Sequence, residues 1–107
     1  MDSYQNYIDG RWVAARSGQT FANHNPATGA ELGRFPNSGA DDVAAAAEAA
    51  ARALPEWKAY PAPKRGEILY RVAQTMLERK EELARDLTEE MGKVIAEARG
   101  DCRKAST

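Results

Sequence analysis

The spacing of apolar and polar residues divides the chain into a strand-rich first third and a helical remainder. Near the start, the apolar pairs Tyr7-Ile8 and Trp12-Val13 flank the dipeptide Asp9-Gly10. Both turn residues tolerate positive φ, so this pattern favours a tight β-hairpin. A second pair of strands is predicted at residues 20–25 and 31–35.

The residues between the second pair of strands favour a tight turn. Pro26 presets φ for a type I turn, and Gly29 can take the left-handed position that closes a bulged hairpin. Pro36, Asn37 and Gly39 end the strand-rich region. The first third therefore reads as two consecutive β-hairpins.

Helical periodicity begins after Gly39. Ser38, followed three residues later by Asp41, resembles a capping box with Asp in place of Glu. Apolar residues then recur near one face of a 3.6-residue period; these are Val43, Ala46, Ala47, Ala50, Leu54 and Trp57. Pro55 is expected to end the regular helix because proline lacks the N–H that an interior position donates.

The region from Lys64 to Met91 is the most strongly helical. Its candidate buried stripe comprises Leu69, Val72, Ala73, Met76, Leu77, Leu83, Ala84, Leu87 and Met91. The polar step from Glu78 to Glu82 is a candidate break, Gly92 suits a helix C-cap, and residues 94–100 start another helix. The resulting expectation is two N-terminal β-hairpins followed by three α-helices.

Composition indicates a thin core. Val, Ile, Leu and Phe together supply only 15 of the 107 residues, a share low for an independent globular domain. Burial of apolar surface stabilises a fold by roughly 25 cal/mol per Å², and ordering the chain costs roughly 1.5 kcal/mol per residue. With so few large side chains, the burial free energy offsets little of the ordering cost. The chain is therefore expected to rely on surface supplied from elsewhere.

Charge and cysteine content exclude several classes of function. Fifteen basic residues against sixteen acidic ones leave no electrostatic footprint for nucleic acid, and no basic block suits a membrane surface. The first residues lack the regions of a signal peptide, and no apolar run reaches transmembrane length. A single cysteine fits a reducing compartment. The expectation is a cytoplasmic polypeptide.

A series of short motifs, each weak alone, is specific in its order and separations. The series consists of Asp9-Gly10, Trp12, NPATGAE (residues 25–31), Asp42-Val43, Trp57, Arg65, EEMGK (residues 89–93) and Glu97. Over nearly the whole chain this series resembles the opening stretch of an aldehyde dehydrogenase.

The resemblance implies an α/β parent enzyme that oxidises an aldehyde, with a semialdehyde as one candidate, to a carboxylic acid with NAD or NADP. In that family a cysteine thiolate forms a thiohemiacetal, hydride passes to the nicotinamide and water hydrolyses the thioester. Residues 1–107 would form a partial N-terminal portion of the Rossmann-like cofactor-binding domain, in its outer part. The implied partner is the remainder of the same enzyme, in a homodimer or homotetramer.

None of the chain's own reactive residues is a convincing candidate. The family's cysteine lies far downstream of the EEMGK-like segment, and no placed base adjoins Cys102. His24 has no second histidine for a metal site, and no GxGxxG phosphate loop is present. We expect structural roles for Arg65 and Gly92, and no catalytic, cofactor-binding or metal residue in these 107 positions.

The last residues depart from the family pattern. Residues 102–107 lose the apolar periodicity that the resembled enzymes continue. One nucleotide added after the codon for Asp101 would instead encode Asp-Val-Gln-Glu-Gly-Ile-Asp, which looks like the expected continuation. A shifted reading frame is therefore one hypothesis, and an ordinary partial sequence with a divergent helix is the other.

Two alternatives to an enzyme portion remain open. The stripe between Leu69 and Leu87 could be the binding face of a non-enzymatic helical interaction module. The chain could also be an inactive truncated product that folds poorly. Circular dichroism and thermal melting would distinguish them, because only the module predicts a cooperative melt.

Overall fold

A computed structural model describes residues 2–107 as five strands followed by four helices. The strands are β1 (Asp2–Ser3), β2 (Asn6–Ile8), β3 (Arg11–Val13), β4 (Thr20–His24) and β5 (Glu31–Pro36). The helices are α1 (Ala40–Ala59), α2 (Ala62–Glu78), α3 (Lys80–Met91) and α4 (Ile95–Ala105). The chain forms two compact units. One contains residues up to His24 together with Glu31–Ala59, and the other contains Asn25–Ala30 and Tyr60–Thr107.

The first hairpin forms as its turn chemistry predicts. Strands β2 and β3 pair antiparallel with Tyr7 opposite Trp12. Asp9 and Gly10 both take positive φ, at 55° and 76°, which is the backbone of a tight primed turn. The Tyr7 and Trp12 rings meet edge to face with centroids 4.9 Å apart, so the cross-strand pair supports the register.

The second hairpin also forms, but it belongs to a larger sheet. Strands β4 and β5 pair antiparallel, and β1 adds to the other side of β5 in parallel, giving the order β1-β5-β4. The sequence did not predict β1. Gly33 permits this third strand, because a Cβ at that position would lie 2.7 Å from Tyr4 Cε2 and 3.0 Å from the Asp2 carbonyl oxygen.

Helix α1 corrects two sequence predictions. The capping box of Ser38 and Asp41 is wrong: Asp42 carries the cap and accepts the Gly39 N–H at 2.9 Å, while Ser38 Oγ accepts a hydrogen bond from Asn6. The predicted end at Pro55 is also wrong, because α1 runs on to Ala59. Residues 51–60 are all exposed, so water can satisfy the carbonyl that proline leaves without a donor.

The helical region contains four helices where three were expected. The candidate break is confirmed: α2 ends at Glu78, and Arg79, with φ −101° and ψ 17°, separates it from α3. Gly92 caps α3 in the left-handed conformation as predicted, at φ 81°, and its N–H reaches the Thr88 carbonyl. Helix α4 extends beyond the predicted residue 100 to Ala105.

Little of the chain is fully buried. Among the described residues, the buried hydrophobic side chains are three alanines, Ala15, Ala84 and Ala98. Within the predicted stripe only Ala84 is buried, while Leu69, Val72, Leu77 and Met91 are exposed. The thin core that composition indicated is therefore a property of the folded chain. No helix in the described residues is both long enough and apolar enough to cross a membrane.

Candidate functional site

The reactive residues singled out in the sequence do not form a catalytic cluster. Cys102 lies on α4 as a free, half-buried thiol, next to an Asp101 that is held by Lys93. His24 is exposed at the end of β4. Within residues 2–107 no group of three or more His, Cys, Asp or Glu side chains is placed to hold a metal ion.

Arg65 holds the backbone at the start of α2. Its Nε donates a hydrogen bond to the carbonyl oxygen of Tyr60 at 3.0 Å, across the connector that precedes the helix. A planar guanidinium suits this task because its donors are fixed in direction. Arg65 thus ties a backbone carbonyl, the structural role expected from the sequence.

The NPATGAE segment is a self-contained turn. Asn25 Oδ1 accepts the backbone N–H groups of Ala27 at 2.8 Å and Thr28 at 3.3 Å, a side-chain mimic of a backbone turn. The Gly29 N–H reaches the Asn25 carbonyl at 2.8 Å, with Gly29 at φ 77°. Asn25 and Gly29 of the motif therefore form and stabilise the turn.

This turn packs against the cap of α3 within the second unit. A Cβ built on Gly92 would lie 3.2 Å from Pro26 Cγ, which is tighter than ordinary van der Waals contact. Two motif segments far apart in sequence, residues 25–31 and 89–93, thus meet at one point. Glycine is favoured there by its positive φ, and a Cβ would require Pro26 to shift by a few tenths of an ångström.

A cleft of about 330 Å³ beside α1 in the first unit is lined mainly by charged residues. Its charged lining consists of Asp9, Arg11, Arg16, Asp42, Glu48 and Arg52. Arg52 lies 3.7 Å from Asp9. No Ser, Thr, Cys, His or Tyr contributes to the lining, so the cleft lacks a nucleophile of those types.

Asp42, within this cleft, is occupied as a helix cap. Hydrogen bonds from the backbone N–H groups of Gly39 and Arg16 hold the pKa of its carboxyl below the ordinary value. A carboxylate that stays ionised and accepts amide donors is a poor general base near neutral pH. Asp42 thus holds the start of α1 to the backbone of Arg16.

Two ion pairs in the second unit hold α4, one to α3 and one to the connector between α3 and α4. Arg99 donates hydrogen bonds to the Glu81 carboxylate from Nε and from Nη2, each at 2.8 Å. Hydrogen bonding to Arg99 lowers the pKa of Glu81. Lys93 binds Asp101, and that hydrogen bond raises the pKa of Lys93. Sequence reasoning missed the role of Lys93, because its partner lies eight residues away across a helix start that periodicity places only roughly.

Comparison with known proteins assigns the family. The sequence model of the aldehyde dehydrogenase family matches residues 12–107. The chain is 53% identical over 97 residues to a 3-sulfolactaldehyde dehydrogenase of Pseudomonas putida, covering 91% of this chain and 20% of that protein. It is 43% identical over 103 residues to the NADP-dependent succinate-semialdehyde dehydrogenase of Escherichia coli K12, covering 96% and 21%.

A solved structure gives the same result in three dimensions. The NAD-dependent aldehyde dehydrogenase of Sinorhizobium meliloti matches 98% of this chain with a TM-score of 0.92 at 36% identity, over 22% of that chain. The chain thus spans about a fifth of the length of the relatives it matches. Sequence and backbone agree over nearly every residue, and the chain belongs to the aldehyde dehydrogenase family.

Proposed function

We propose that this chain is the N-terminal structural portion of an enzyme that oxidises an aldehyde to a carboxylic acid with NAD or NADP. The observation that carries the proposal is the family match over residues 12–107. The relatives support both the reaction and the cofactor, since one is an NADP-dependent semialdehyde dehydrogenase and another is an NAD-dependent aldehyde dehydrogenase. We favour a semialdehyde as substrate.

The role of these residues is to support the enzyme's fold. They would form the outer part of its cofactor-binding domain, with the remainder of the same polypeptide as partner in a homodimer or homotetramer. The described motif residues make turns, caps and ion pairs: Gly92 ends a helix, Arg65 holds a carbonyl and Lys93 binds Asp101. These contacts support the proposed structural role.

The residues present do not fit a nicotinamide cofactor. No glycine-rich phosphate loop follows a strand in this sequence, and Asp42 in the charged cleft is already bonded to two backbone amides. We place the nucleotide site, the nucleophilic cysteine and the general base in parts of the enzyme outside these 107 residues.

A chimaera tests this function. The 103 matched residues of the E. coli succinate-semialdehyde dehydrogenase would be replaced by this chain, and NADPH formation from succinate semialdehyde would be measured. We expect turnover well above that of the same enzyme with the segment deleted. A chimaera that folds to the native oligomer yet gives no turnover would contradict the proposal.

Cys102 provides an internal control. The chain alone, given aldehyde and either nucleotide, should form no NADH or NADPH. In the chimaera, Cys102→Ser should leave kcat unchanged, because the thiol lies on α4 without a placed base. Turnover by the isolated chain that disappears with Cys102→Ser would instead assign the chemistry to this residue.

For residues 102–107 we keep the shifted reading frame as a proposal. Helix α4 continues to Ala105 and the family match reaches residue 107, so a divergent helix is the competing account. Reading the DNA around the codon for Cys102 decides between them. If no other frame continues into an aldehyde dehydrogenase sequence, the frameshift hypothesis fails.

The helical interaction module remains a second candidate because of one observation. Leu69, Tyr70, Val72 and Leu77, all on α2, are exposed large apolar side chains. An independent module would bind its partner through such a surface. A sharply melting, monomeric chain that binds a protein unrelated to dehydrogenases would favour this candidate.

A further inference from the structure

The dipeptide Asp9-Gly10, at the tip of the β2–β3 hairpin, is a chemically labile point of the first unit. None of the chain's other Asp or Asn residues is followed by glycine. The backbone nitrogen after an Asp can attack the side-chain carboxyl carbon, and glycine favours this reaction because it has no Cβ to obstruct the approach. The sequence therefore favours the reaction at this one turn.

The structure leaves the reacting groups accessible. The Asp9 side chain is 59% exposed, and its ion pair with Arg52, at 3.7 Å, is a solvated contact that contributes little stability. Within residues 2–107 the Gly10 N–H donates no hydrogen bond to protein. A Cβ built on Gly10 would meet nothing within 4 Å. The carboxyl carbon, the attacking nitrogen and water therefore have open space around them.

The closed turn opposes the reaction. Asp9 and Gly10 take φ values of 55° and 76° in a two-residue turn between Ile8 and Arg11. In an ideal turn of this type, ψ of the first residue is about 30°, which places the next nitrogen roughly opposite to Cβ. A five-membered ring needs the nitrogen and Cβ on the same side. The hairpin must therefore open before the ring can close.

The hairpin is short enough to open by itself. Strands β2 and β3 have three residues each and form a sheet of their own, and an isolated two-stranded hairpin is at best marginally stable in water. The edge-to-face contact of Tyr7 and Trp12 supports it, although these side chains are 62% and 67% exposed. Local opening of the hairpin can thus precede unfolding of the rest of the unit.

We propose that Asp9-Gly10 is a site of spontaneous isoaspartate formation, and that opening of the β2–β3 hairpin controls its rate. The Gly10 nitrogen forms a bond to Asp9 Cγ, and the carboxyl hydroxyl leaves as water with the amide proton. Water then adds to the main-chain carbonyl of Asp9 in the resulting succinimide and breaks its bond to nitrogen, so that the chain continues through Cγ. The added backbone methylene lengthens the turn, and the pairing of Ile8 with Arg11 is lost. This chemistry is independent of the proposed function.

Ageing of the chain tests the site. The chain would be kept for weeks at neutral pH and physiological temperature, without nucleotide or aldehyde. Isoaspartate would be located and quantified by fragmentation mass spectrometry. We expect it at residue 9 in roughly tenfold or greater excess over every other Asp position, because only Asp9 precedes glycine. Even accumulation over the Asp residues, or none at residue 9, would overturn the proposal.

Matched aromatic variants test the role of the hairpin. Trp12→Ala removes the ring that supports the hairpin, whereas Phe21→Ala removes an exposed ring from the other sheet of the same unit. We expect Trp12→Ala to speed isoaspartate formation at residue 9 roughly threefold or more, because losing an aromatic pair raises the population of the open hairpin. Phe21→Ala should leave the rate unchanged. Equal rates for the two variants would show that the hairpin does not control the reaction.

Concentrated urea gives the rate of the same residues without the turn. We expect isoaspartate at residue 9 to form severalfold faster in urea than in buffer, because the denatured chain no longer holds the nitrogen opposite to Cβ. The same rate in both solutions would mean that the hairpin gives no protection, and the proposed control by hairpin opening would then be wrong.

Discussion

At the residue scale, two glycines of the second unit offer opposite outcomes from one substitution. Gly92→Ala forces a side chain into φ 81° and towards Pro26 Cγ, which should cost about 1–2 kcal/mol. Gly100 lies inside α4 with open space around its Cα, so Gly100→Ala should stabilise by about 0.4–1 kcal/mol. Tm measurements on the chimaera would test both. A tolerated Gly92→Ala would remove the αL cap from the account of this turn.

The cap of α1 predicts a pH dependence. Backbone N–H donors from Gly39 and Arg16 lower the pKa of Asp42 below its ordinary value of 3.8. Because the folded-state pKa is the lower one, the stabilisation is fully present above pH 3.8 and is lost as pH falls through the folded-state pKa. Asp42→Asn should therefore reduce α1 helicity at pH 6, and the difference from the unmodified chain should shrink below pH 3.8.

The neighbouring acid provides the control for this cap. Asp41 also lies in the first turn of α1, so Asp41→Asn removes the same charge near the helix N-terminus. Circular dichroism of the two variants across pH separates the specific cap from a general dipole effect. Identical curves for Asp41→Asn and Asp42→Asn would mean that the Asp42 charge, with its amide hydrogen bonds, stabilises α1 no more than the Asp41 charge does.

At the residue scale, the sequence predicts well the positions whose backbone must take a positive φ. Asp9-Gly10 and Gly92 were placed correctly because positive φ restricts the choice of residue. Asp42 and Lys93 were missed because their roles depend on a partner. The acid that caps the helix lies three residues after the residue that immediately precedes the helix, which is Gly39 and not Ser38. Periodicity places that boundary only to within a residue or two.

At the element scale, the break after α2 and the C-cap of α3 were predicted, whereas the ends of α1 and α4 were not. The break at Arg79 was visible as a polar step, but Pro55 was overestimated as a terminator because it lies near an exposed helix end. Strand β1 has only two residues, too few to show an alternation. It forms because Gly33 on β5 lets Tyr4 approach, a tertiary fact that no local window contains.

Packing of α3 and α4 supplies a test of element contacts. Ala84 on α3 and Ala98 on α4 are completely buried, and these two helices pack against each other. Ala98→Leu should overpack this contact and cost about 1–3 kcal/mol. Ala96→Leu, at an exposed position of the same helix, should be nearly neutral. Tm values of the two chimaeric variants would decide, and similar values would place the tight contact elsewhere.

At the scale of the whole molecule, the family was predictable while the reaction site was not. Motifs such as NPATGAE and EEMGK identify the family by their order and separation in the sequence. In the fold the two motifs lie together, because the turn at Pro26 contacts the helix cap at Gly92. These motifs serve structure. Under the proposed function, the substrate, the choice of nucleotide and the oligomer would depend on residues outside these 107 positions, and the motifs described above do not specify them.

The exposed apolar surface leads to a last prediction about the isolated chain. Its buried hydrophobic residues, within the described part, are Ala15, Ala84 and Ala98, and no large side chain there is fully buried. Cooperative unfolding requires the simultaneous exposure of much apolar surface, at roughly 25 cal/mol per Å². We therefore expect a broad thermal transition by circular dichroism, with binding of a hydrophobic dye below the midpoint.

The chimaera is the matched comparison, because it contains the same residues with the rest of the enzyme in place. There, the segment should unfold with the whole protein in one sharp transition, and dye binding before the transition should disappear. The difference measures how much of the segment's order comes from the surface it packs against. A compact, monomeric, sharply melting isolated chain would show that its thin core is sufficient, and the interaction module would then explain the exposed face of α2 better than a missing partner does.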